Sequence, residues 1–222
     1  MILIKTKDFI VINKPAGIPS QPDPTEDKDA MTLASEELSA WGEDGKLYLI
    51  HRLDRVVVGL LVFARNKGAA AHLSAAVSDH TMVKEYLAVV SGRAEGGLMR
   101  DYIYKDPTLG KAFIASGKRA GVKECELEYT NLDTVSTDKG EVSLVRIRLH
   151  TGRFHQIRAQ FSSRGMPLLG DKKYGSRDYL AKMPALIATG LTFVFCGQTV
   201  CASERPPLTQ YPWCLFGEER YR

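Results

Sequence analysis

The chain has 222 residues, 44% of them hydrophobic and 25% charged, with a formal net charge of +4. That balance supports a folded core and excludes wholesale disorder. No run of about 18 apolar residues occurs, and the N-terminal stretch turns polar at Lys5, so the sequence predicts a cytoplasmic protein without a membrane span. Residues 2–12 are rich in Ile and Val and alternate loosely, which predicts one strand. Pro15, Gly17, Pro19, Pro22 and Pro24 then break regular structure into a long loop. A short helix is expected over 31–40 and a buried strand over Leu60–Ala64. Asn66 stands where an N-cap would, before Ala69, Leu73, Ala76 and Val77 on one helical face.

Val83–Val90 reads as a further strand. Cys125, Leu127 and Tyr129 alternate with glutamates, and Val145, Ile147 and Leu149 alternate with arginines, the period of half-buried antiparallel strands. Thr151 is placed to cap a helix on which Phe154, Ile157 and Phe161 form an apolar stripe, with His155, Arg158 and Ser162 beside it and Gly165 as the stop. The pattern is that of an α+β fold with a largely antiparallel sheet and flanking helices. One continuous domain is expected over residues 1–222.

Charge is segregated along the chain. Acids including Asp23, Glu26, Asp27 and Asp29 cluster early, whereas Arg52, Arg55, Arg65 and Lys67, and later Arg146 to Lys173, form basic stretches that allow a positive face. Cys125, Cys196, Cys201 and Cys214 contain no CxxC pair. They are expected as buried free thiols, with no metal site.

Two segments concentrate polar groups at the ends of apolar elements. HRLDRVVVGLLVFARN (51–66) sets His51, Arg52, Asp54 and Arg55 before a buried strand, and TGRFHQIRAQFSSRGMPLLGDKKYG (151–175) carries Arg158 on a helix. Together with NKPAGIPS (13–20) and KEYLAVVSG (84–92), these blocks resemble the RluA-type pseudouridine synthases, whose signature reads HRLDxxTSGLLLFAK. Val57 and Val58 replace the usual Thr and Ser, so two hydroxyls near the site are absent. The chain begins close to its first expected strand, which predicts that no S4-type RNA-binding domain precedes it.

The resemblance implies a pseudouridine synthase fold with a central catalytic cleft, and an enzyme that isomerises a flipped-out uridine in structured ribosomal or transfer RNA. Asp54 would be the nucleophile or base, Arg158 its ion-pair partner, and Tyr86 the residue stacked on uracil that handles the proton leaving C5. Arg52 would fill the gap left by the flipped base, and Arg55, Lys14, Lys84, Arg153 and Lys172 would contact RNA. The reaction needs no donor or oxidant, so no cofactor is expected, and the sequence has no phosphate-binding glycine loop. No protein partner is implied. His51 and His155 are expected to be structural. Two rivals are a hydrolase using His51, Asp54, His155 and Asp171 around a metal, and a non-catalytic RNA-binding protein on the same fold.

Overall fold

The computed structural model describes residues 1–23 and 27–221, so Pro24 and Glu26 lie outside the described residues. The chain divides into two compact units, residues 1–84 with 188–204, and 85–187 with 205–222.

In the first unit, β1 (Ile2–Lys5) and β2 (Phe9–Lys14) form an antiparallel hairpin where the sequence suggests one strand. The reason is local. Thr6 Oγ1 accepts from the amides of Asp8 and Phe9, and Thr6 N donates to Phe9 O, closing a turn that hydropathy alone does not reveal. Helix α1 (Ala30–Ala40) begins where Asp29 Oδ1 accepts from the amides of Met31 and Thr32, and buries Ala30, Ala34 and Leu38. A short β3 (Tyr48–Leu49) pairs with β4 (Val58–Ala64), which also pairs from Gly59 to Ala64 with β2.

Helix α2 (Lys67–Ser78) starts at Asn66, whose side-chain oxygen accepts from Ala69 N at 2.9 Å, and it buries Ala69 and Leu73 as the spacing predicts. Beside β4 lies β10 (Leu186–Phe195), paired in turn with β11 (Gln198–Ser203). Gly59 makes the close approach of β4 and β10 possible: its φ is +123°, and a Cβ there would lie 2.2 Å from Ala188 O. Phe9, Val62, Leu73, Met82 and Phe193 belong to the core of this unit.

The second unit is an antiparallel sheet in the order β5 (Val83–Ser91), β9 (Gly140–Leu149), β8 (Lys123–Thr137), β6 (Gly97–Asp106), β7 (Lys111–Ala115). Register places Glu85 opposite Arg148 and Arg148 opposite Glu128, a row of alternating charge, and places Tyr86 opposite Ile147. The buried Cys125, Leu127 and Tyr129 confirm the period-two reading.

Helix α3 (Gln156–Ser163) differs from the sequence reading at its start. Thr151 is not its cap: the Thr151 hydroxyl accepts from Glu126 N and donates to Gln156 Oε1, pinning the approach to the helix, and His155 takes the cap position at φ 51°. At its other end Gly165, at φ +75°, donates to Ser162 O while Met166 N reaches Phe161 O, a left-handed stop of the expected kind. Only Cys125 of the four thiols is buried. Cys196 occupies the tight β10–β11 turn and Cys201 and Cys214 face solvent, which corrects the expectation of four buried thiols. Among the described residues no helix is long and apolar enough to cross a membrane.

Candidate active site

Asp54 sits on a one-turn bend ahead of β4, closed by Val57 N donating to Asp54 O at 3.0 Å. The bend is braced from below by the loop after β2. Ser20 Oγ donates to Leu53 O at 2.9 Å and accepts from Leu53 N at 3.0 Å, a reciprocal pair that fixes the residue before Asp54. Gly17, at φ +86°, donates its amide to Arg55 O at 2.9 Å, fixing the residue after it. Leu53 and Val57 point into the core while Asp54 is half-buried, so the carboxylate is carried on an anchored backbone.

Lys14 completes this support and corrects an expectation. The side chain is wholly buried, and its ammonium donates to Pro15 O and Ile18 O at 2.9 Å and Arg55 O at 3.3 Å. A lysine so placed ties the two loops together and is out of reach of a phosphate. Burial pulls its pKa down to about 8, opposed by the attraction of Asp54 and aided by the repulsion of Arg55. Lys84 is also buried, with its pKa lowered by desolvation, and is likewise no surface phosphate contact.

His51 Nε2 accepts from Val62 N at 3.3 Å, which requires a neutral ring. Burial, with a smaller push from the Lys84 charge, lowers its pKa to about 3.

In the second unit Arg158 projects from α3 into the interior. Its Nε donates to Asp171 Oδ2 at 2.7 Å and its Nη2 to Asp171 Oδ1 at 2.9 Å, a bidentate pair with both side chains almost fully buried. The guanidinium also lies 4.8 Å from the centre of the Tyr174 ring. Tyr174 is itself held, since its hydroxyl accepts from Ala112 N at 2.7 Å and meets His155 Nδ1 at 2.9 Å. The His155 ring stacks on Phe154 at 3.8 Å between centres. Those contacts hold His155 in its left-handed conformation.

Asp171 and Tyr174 are the residues sequence reasoning undervalued. Both lie in the quoted GDKKYG block, and a buried arginine calls for a buried acid, the one signal that could have singled out Asp171. Gly170 allows its placement: φ is +76°, and a Cβ there would fall 2.3 Å from Met183 O. Tyr86 is buried on β5. Of the remaining expected RNA contacts, Arg52, Arg153 and Lys172 are exposed. Arg55 is half-buried and ion-paired with Asp27 at 2.6 Å and Asp23 at 3.3 Å. Arg153 donates from Nε to Glu124 O at 3.0 Å. Among the described residues no three His, Cys, Asp or Glu side chains are grouped to hold a metal ion.

A family model described as RNA pseudouridylate synthase matches residues 8–163. The chain belongs to that family. An uncharacterized RNA pseudouridine synthase of Bacillus subtilis is 34% identical over 84% of this chain and 61% of its own length. A tRNA pseudouridine synthase C of Haemophilus ducreyi is 35% identical over 78% of this chain and 73% of its own. This chain therefore spans little more than three fifths of the Bacillus subtilis relative. Among solved structures, human RNA Pseudouridylate Synthase Domain Containing 4 superposes with a TM-score of 0.75, covering 93% of this chain and 88% of that one. At 22% identity this likeness bears on the fold, which is the pseudouridine synthase fold that the four sequence blocks imply.

Proposed function

We propose that this pseudouridine synthase family member isomerises a flipped-out uridine in structured ribosomal or transfer RNA to pseudouridine, with Asp54 as the catalytic carboxylate. The observation that carries the reading is the bracing of the Asp54 bend by Ser20, Gly17 and Lys14, which holds the carboxylate on fixed backbone at the mouth of a core strand. The family match over residues 8–163 and the intact HRLD block support it.

The reaction breaks the N1–C1′ bond, turns the uracil, and joins C5 to C1′. The C5 proton departs and N1 regains one, so atoms balance without a donor. An ionised carboxylate serves either by adding to C1′ or by removing a ribose proton, and both roles need its charge. Arg158, held rigid by Asp171, stabilises that charge. Tyr86 stacks on the uracil and relays the C5 proton, Arg52 fills the vacated stack, and Arg153 and Lys172 hold phosphates.

RNA carrying tritium at uracil C5 tests this reading, because the label reaches water only when C5 becomes the glycosidic carbon. Wild type releases tritium and Asp54→Asn does not, while RNA binding changes by less than about tenfold. Release at a near-wild-type rate by folded Asp54→Asn protein, shown by mass to remain Asn, refutes the assignment.

A further inference from the structure

The segment that follows Asp171 has a sidedness the reaction does not explain. From Asp171 to Lys182 the side chains divide between an inward and an outward side. Asp171, Tyr174, Ser176, Asp178 and Ala181 are buried, while Lys172, Lys173, Arg177 and Lys182 are exposed. Both acids of the segment thus face inward, and every exposed charge on it is positive.

Between those cations stand the two large apolar residues most open to solvent among the described residues, Tyr179 at 74% exposed and Leu180 at 62%, and Met183 follows at 41%. Lys172 Nζ lies 5.6 Å from the centre of the Tyr179 ring, a cation over an aromatic face, and the exposure of Tyr179 leaves ring surface open to a ligand.

The segment is built to be stiff. Asp178 Oδ1 accepts from Leu180 N and from Tyr211 Oη, both at 3.2 Å, and its Oδ2 accepts from Ala181 N at 3.1 Å. Ser176 Oγ accepts from Gly170 N at 3.1 Å, and Ala185 N donates to Leu169 O at 2.8 Å, closing the base of the loop. Its first anchor, Asp171, is the residue that grips Arg158. An apolar tip held rigid at no evident benefit to the core is the form of a contact surface.

We propose that the loop of residues 172–184 is an RNA platform, on which an unpaired base stacks against Tyr179 while the surrounding lysines and arginine hold the flanking phosphates. Cations interleaved with an exposed aromatic ring match a single strand, which offers a π-face at every base and a charge at every linkage. Leu180 and Met183 extend the shelf. The identity of the RNA rests on the proposed function; the stacking itself does not.

The test is binding, measured apart from turnover, with two probes: bulk transfer RNA and a fluorescein-labelled uridine oligonucleotide of about ten residues. Tyr179→Ala weakens both by about tenfold or more, since stacking on one aromatic ring is worth roughly that factor. Tyr179→Phe restores binding, and the thermal midpoint is unmoved in either variant because the side chain lies outside the core. The triple variant Lys173→Gln/Arg177→Gln/Lys182→Gln lowers the slope of log Kd against log salt by about 2.

Unchanged binding by Tyr179→Ala overturns the platform. So does a triple variant that keeps its RNA affinity and salt slope but loses binding to phosphatidylserine vesicles, which would make the surface a membrane dock. Tritium release by wild type separates the two readings. A protein that binds through Tyr179 and releases no label keeps the platform and loses the enzyme, and the converse keeps the enzyme alone.

Discussion

A guanidinium is tolerated in a protein interior only when its charge is met, and Asp171 meets that of Arg158 with two hydrogen bonds in one plane. The pair is therefore an all-or-none feature at the scale of single residues. Asp171→Ala leaves a buried arginine without its bidentate partner and is expected to cost about 3 kcal/mol, a fall of several degrees in the thermal midpoint for a chain of this size. It also frees the arginine to adopt other rotamers, so tritium release falls by more than the folded fraction accounts for. Thermal unfolding and turnover measured on the same preparation check this. A loss of stability with turnover per folded molecule unchanged would show that the pair is structural only. Arg158→Lys in the otherwise wild-type chain is expected to lose stability too, because the planar fork is what Asp171 grips and a single point charge cannot copy it.

At the scale of elements, what matters is how two loops are made into one rigid body. The bend that carries Asp54 has little regular structure of its own. Its order comes from Ser20, Gly17 and Lys14 reaching across from the loop after β2. Ser20→Ala removes both halves of the reciprocal pair and strands the amide and carbonyl of Leu53 in a buried place, at about 1–3 kcal/mol. The bend then samples more positions, and catalysis suffers before binding does. The expected outcome is a fall of about tenfold or more in kcat with KM for the RNA little changed. Steady-state tritium kinetics check it, and a destabilised Ser20→Ala enzyme with wild-type kcat would show that the brace is not what positions Asp54. Sequence alone located the loop after β2, which its prolines and Gly17 mark, and set Asp54 just ahead of a buried strand. It could not pair them, because hydrogen bonds between residues 33 positions apart leave no periodic signature.

At the scale of the whole molecule, stability is tied to proton binding through His51. Its pKa is lowered in the folded state from 6.5 to about 3. Between those values the unfolded chain binds the proton that the folded chain refuses, so stability rises with pH across that window. The contribution is therefore complete above the unfolded value and is lost as pH falls towards the folded one, by up to about 1.4 kcal/mol per pH unit. His51→Gln keeps an acceptor for Val62 N and cannot titrate, so its thermal midpoint declines less steeply than wild type between about pH 4 and pH 6.5. Parallel curves for the two proteins would remove His51 as the cause. The sequence by itself determined the α+β class, both helix caps at Asn66 and Gly165, the buried faces of β4, β8 and β9, and, through the four blocks, the family. Each of these depends on spacing within one short segment, where side-chain period and capping chemistry act locally. Only the tertiary structure decided that residues 2–14 fold back as a hairpin, that Thr151 pins α3 from outside it, and that Lys14 and Lys84 are buried. It also decided that Asp171 holds Arg158 and that residues 171–184 turn their two acids inward. A charge reads the same in a sequence whether it meets water or a buried partner, and only the packing of distant segments sets which of the two it meets.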